Sequence, residues 1–299
     1  SSASNRFALG ADLAIAAKQT AILRYDGTAS RWYALTRPVY GSADQREVLT
    51  ANRTYYVRTD GSNANNGLSN ASGGAFLTIQ KAIDVIAALD LSIYNITIQI
   101  ADGTYTGGVA VNAPWIGAGD VTIQGNLSTP ANVLISTTSA HCISVQNNGR
   151  LKIGGVKFQT TTFGIALVAT AGGRIDIVSP VNFGACATYH MNADGAGKIL
   201  CSSNYTISGN TAAHAVAISF GYFYVAGNTI TISGTPSLGT FAQSTRMGYM
   251  EWISNTFSGS ATGARYNVAT GGGIFVNGGG ASYLPGNSAG SATSPGWYG

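Results

Sequence analysis

The feature that most restricts this chain is a column of glycines. Gly149, Gly173, Gly197 and Gly221 stand 24 residues apart, Gly248 follows after 27, and Gly272 after a further 24. Each opens a short segment, GRLKI, GRIDI, GKILC, GYFYV, GYMEW and GGIFV, with apolar residues at the second and fourth places after the glycine. That is the period-2 alternation of a half-buried strand. A second column, Val145, Ala169, Ala193, Ala217, Ser244 and Val268, sits four residues before the glycines, and a third strand follows in GVKF, SPVNF, SNYTI and NTITI. Three short strands per repeat make the coil of a solenoid. The Leu/Asn consensus of a leucine-rich horseshoe is missing, so the chain reads as all-β, a right-handed parallel β-helix of about 24 residues per coil, the hand following from the chirality rule for parallel connections.

Composition agrees with this fold class. Only 9% of residues are charged, against about a quarter in an average domain, while Gly reaches 40 residues. Stacked coils place like residues side by side, so neutral Asn, Thr and Ser columns avoid like-charge repulsion. The formal net charge is a modest +4, 16 basic against 12 acidic residues, and the basic ones are scattered, which disfavours nucleic acid as a partner. No apolar run has the length of a membrane span, so no membrane insertion is expected. Cys142, Cys186 and Cys201 show no zinc-ligand spacing, and His141, His190 and His214 fit no metal signature. Buried free thiols, no metal and no cofactor are expected.

The domain organisation follows from the pattern. Residues 1–50 read as a small β module and linker, with a hairpin at Asp26–Gly27, and residues 51–94 as a strand, an Asn/Gly loop and a helix. In that helix Ile79, Ala82, Ile83, Ile86, Ala87 and Leu89 recur at helical spacing behind Thr78 as N-cap. Residues 95–277 form the β-helix, about seven or eight coils, and residues 278–299 a C-terminal tail. The helix is expected to cap the open end of the stack. The opening SSASNRF lacks an initiator Met, so a processed chain or a fragment is expected.

The block YYVRTDGSNANNGLSNASGGAFLTIQKAIDVI followed by ITIQIADGTYTG resembles the cap and first coil of the pectate-lyase-like β-helix superfamily, in the variant common in phage and prophage tail proteins. The opening NRFALGADLAIAAKQTAILRYDGTASRWYAL and the closing GGGASYLPGNSAGSATSPGWYG are similar to the flanking modules of such proteins. The resemblance implies a homotrimer attached to a phage tail or baseplate through its N-terminal region, and so a virion, extracellular location. It also implies recognition or cleavage of bacterial surface polysaccharide. No catalytic residue carries over: beyond residue 95 the only acids are Asp102, Asp120, Asp176, Asp194 and Glu251.

Residues one place past the marker glycines, Arg150, Arg174, Lys198, Tyr222 and Tyr249, are expected to point outward as a basic stripe running into an aromatic one. Such a stripe suits an acidic glycan, the cations taking carboxylates and the rings taking sugars. Equally, it can be a solvated face with cross-coil ion pairs, Asp176 neutralising its neighbours. His190, Asn192 and Asp194 are expected to share one outward face, with His214 one coil beyond; His190, Asp194 and His214 are the candidates for acid–base catalysis, the alternative being an ordinary polar ladder. Trp115, on a turn, is a candidate sugar platform, the alternative being a partly buried side chain, as is common for tryptophan. Three functions stay open: a glycan-binding tail spike, a polysaccharide-degrading lyase or glycosidase, and a structural virion spacer.

Overall fold

The computed structural model describes residues 6–7, 23–28, 31–34 and 46–299. Two units divide the chain at Glu47/Val48. In the first, Leu23–Asp26 and Arg31–Ala34 pair antiparallel around the expected hairpin, and Arg6–Phe7 adds in parallel. The rest of the expected N-terminal module, and the linker up to residue 45, lie outside the described residues.

The second unit is a parallel β-helix. Its described strands build three sheets of ten, eight and seven members, and each coil visits them in turn, as Ile165–Ala169, Arg174–Ile177 and Val181–Phe183 do. The expected inner column is present: Ile153, Ile177, Cys201, Val225 and Trp252 pair in register and are all buried. The register also runs past both ends of 95–277, since Arg53–Val57 pairs with Ile96–Ile100, and Trp297–Tyr298 pairs with Gly273–Phe275.

Why glycine recurs is visible at the turn. Before each marker the chain makes a tight turn whose two central residues both have positive φ, as at Asn147 and Asn148 (54° and 60°), closed by Gly149 N–H to Gln146 O at 2.9 Å. This is the type I′ pattern. The marker itself lies against the coil below: a Cβ on Gly173, Gly197 or Gly221 would stand 2.1, 2.0 or 1.9 Å from the carbonyl oxygen of Val145, Ala169 or Ala193. The two columns seen in the sequence are thus the two sides of one close approach. The three extra residues before Gly248 enter in two places. The register offset between coils grows from 24 at Cys201/Val225 to 25 at Tyr205/Ile230 and 27 at Thr211/Leu238.

The helix Ile79–Ala87 begins at Thr78, whose hydroxyl accepts from Lys81 N–H, and buries Ile79, Ala82, Ile83 and Ile86. It serves the end of the stack in a specific way. Val109–Val111 is the first strand of the eight-stranded sheet, and among the described residues no strand pairs with its outer edge. The Gln80 carboxamide supplies one: Ala110 N–H donates to Oε1 at 2.7 Å, and Nε2 donates to Ala110 O at 3.2 Å.

Candidate functional site

The outward stripe is continuous. Arg150, Arg174, Lys198, Tyr222 and Tyr249 pair in register on consecutive strands of the ten-stranded sheet, with the cations exposed and the tyrosines half-buried. Arg174 Nε holds Asp176 at 2.8 Å, and Lys152 Nζ holds Asp120 at 2.6 Å. Arg150 and Lys198 have no carboxylate partner among the described residues. Arg150, Arg174, Lys152, Asp120 and Asp176 line one shallow cleft.

At the aromatic end Tyr222 and Tyr249 stack at 6.0 Å and 14°, and the Tyr222 hydroxyl donates to Glu251 Oε1 at 2.8 Å. Partial burial and that carboxylate push the Tyr222 phenol up. Trp297 continues the row at 5.9 Å from Tyr249 and is 44% exposed. Its indole lies over Gly273, the intervening member of the column, where a Cβ would meet it at 2.7 Å. Trp297 was missed because the tail was read apart from the repeat. The signal was present, for Gly296 stands 24 residues after Gly272 and places Trp297 in the stripe.

The histidine expectation is corrected. His190 and His214 do not face outward; both are fully buried. The cause is a corner in the chain. Along the eight-stranded sheet the ladder pairs Tyr189 with Ile165 and Met191 with Leu167 but omits the position between them, and the same gap recurs one coil on at His214. Two successive side chains therefore turn inward, and counting by twos fails. Asn192 is buried with its amide oxygen unpartnered, and Asp194 lies past the strand end, its carboxylate accepting from Gly195 N–H at 2.7 Å.

What the imidazoles form is a chain of hydrogen bonds with one possible direction while both rings are neutral. Gly184 O can only accept, so His190 Nε2–H donates to it at 2.9 Å, leaving Nδ1 to accept from His214 Nδ1–H at 3.0 Å. His214 Nε2 then accepts from the Tyr205 hydroxyl at 2.9 Å. Burial pushes His190 down to about 3 and His214 well below its ordinary value, the latter also because His190 stands beside it. Both stay neutral in the core and out of reach of a polymer in solvent.

Trp115 takes the buried alternative: it is 8% exposed, packs in the core, and its indole N–H donates to Arg150 O at 2.6 Å. Cys142, Cys186 and Cys201 are free and buried, and burial raises their thiols to about 11, 12 and 12. Among the described residues no three His, Cys, Asp or Glu gather within metal-binding reach. A cleft of about 340 Å³ beside Thr78, Gln80, Thr104 and Gly107 is lined by no Asp, Glu, Lys, Arg or His. No family model matches the sequence, and no curated protein or solved structure matches it either.

Proposed function

We propose that this protein is a receptor-binding spike of the phage-tail kind, holding an acidic bacterial surface polysaccharide on the outer face of its ten-stranded sheet. One observation carries the reading: a single register column presents two cations without an ion-pair partner among the described residues, Arg150 and Lys198, and then a row of aromatic rings. Coils rise by about 4.8 Å each, so the six steps from Arg150 to Trp297 span about 29 Å. An extended glycan lying along the axis meets cations first and rings next. Each contact is weak in water, and three copies in a homotrimer raise the avidity without new chemistry.

The test is binding of acidic and neutral capsular polysaccharides to immobilised protein across a salt series. The wild type should bind an acidic polymer with an affinity that falls as salt rises, and R150A/K198A should bind it weakly with little salt dependence. Equal binding of acidic and neutral polymers by both proteins would remove the reading. A hydrolytic second reading rests on Asp120 and Asp176 lining the same cleft. It requires release of oligosaccharides by the wild type and none by D120N/D176N.

A further inference from the structure

Two consecutive turns beside the aromatic row carry residues that the turn does not want. Each coil has a pair of positive-φ residues before its marker glycine, and in three of the coils the second place of that pair is Asn148, Gly172 or Ala196. The next two coils put Phe220 (φ 66°) and Met247 (φ 64°) there, and Gly271 follows. A bulky side chain in the left-handed region is strained, and Asn or Gly would relieve it. Nor does burial compensate, because Phe220 is 68% exposed and Met247 56%. Phe220 and Met247 precede Tyr222 and Tyr249 by two residues each, on the turns that lead into the strands of the ten-stranded sheet that carry them. Met247 lays its sulfur over Gly271 of the next coil, yet both side chains stay largely in solvent, and strain at exposed apolar groups points to a ligand.

We propose that Phe220 and Met247, together with Tyr222, Tyr249 and Trp297, form an apolar corner that takes methyl-bearing substituents, such as O-acetyl groups, of the acidic polysaccharide held by Arg150 and Lys198. The inference rests on the polysaccharide reading and adds the chemistry of the second half of the ligand. Charge complementarity supports the same occupant, since Arg246, next to Met247, has no carboxylate partner among the described residues. A phenyl ring and a thioether offer sugar hydroxyls only weak acceptors, whereas a methyl group packs against both.

The experiment compares wild type, F220N/M247G and R150A/K198A for affinity to one acidic polysaccharide before and after alkaline O-deacetylation, with thermal unfolding of each protein alongside. Deacetylation should weaken the wild type about tenfold or more and leave F220N/M247G unchanged. The midpoint of F220N/M247G should equal or exceed that of the wild type. If F220N/M247G binds both forms as the wild type does while R150A/K198A loses binding, the corner is refuted and the polysaccharide reading stands. If the wild type shows no salt-dependent binding, the polysaccharide reading fails and takes the corner with it. A lower midpoint in F220N/M247G would mark the two residues as structural, and a self-associating wild type that this variant dissociates would assign the ridge to a second copy of the chain.

Discussion

At the residue scale two kinds of glycine stand apart, and substitution should separate them. Gly221 has ordinary φ but no room, a Cβ falling 1.9 Å from Ala193 O, whereas Gly227 has room but a φ of 69°. Gly221→Ala should therefore destabilise by about 2–4 kcal/mol and Gly227→Ala by about 1 kcal/mol, measured by denaturant unfolding. Similar losses would mean that close approach between coils does not fix the repeat. The buried imidazoles make a second prediction. A histidine whose folded pKa is depressed takes up its proton more readily when unfolded, so stability is full above about pH 6.5 and declines as pH falls below it. For His190 the decline continues toward about pH 3. The groups packed on the pair are the rings of Phe183, Tyr205, Phe241 and Trp252, which offer no counter-charge. Two histidines give a slope of up to about 2.7 kcal/mol per pH unit. H190Q/H214Q, which cannot titrate there, should lose that share of the slope; an unchanged slope would show that the pair titrates normally.

At the scale of elements, three strands per coil were legible because steric exclusion and parity leave marks in sequence. The marker glycines and the Leu151, Ile175, Ile199 and Phe223 column behind them follow directly from coil stacking. His190 was not legible, since a corner that turns two neighbouring side chains inward changes parity without changing composition. Neither were Phe220 and Met247, whose positive φ values contradict their types. The stripe was legible as a column, and so was Asp176 as the neutraliser that Arg174 holds; the Lys152–Asp120 pair beside it was not, because Asp120 reaches Lys152 from another coil. The capping helix adds a prediction of its own. Gln80→Ala strips both partners from Ala110, and should cost about 1–3 kcal/mol and promote end-to-end aggregation visible by light scattering. A variant as stable and as soluble as the wild type would deny the helix that capping role.

At the scale of the whole molecule the sequence restricts shape far better than use. A parallel β-helix supplies long, register-locked columns, and the proposed function reads one of them. The proposed homotrimer predicts a mass of three chains in multi-angle light scattering over a range of concentrations; a constant monomer mass contradicts it. The most direct measurement of the central claim is a crystal structure of the protein with an oligosaccharide of the acidic polymer it binds. The account predicts sugar density along the outer face of the ten-stranded sheet, parallel to the coil axis, with a carboxylate on Arg150 or Lys198 and rings over Tyr222, Tyr249 and Trp297. Density on either of the other two sheets, with this column bare, would contradict it.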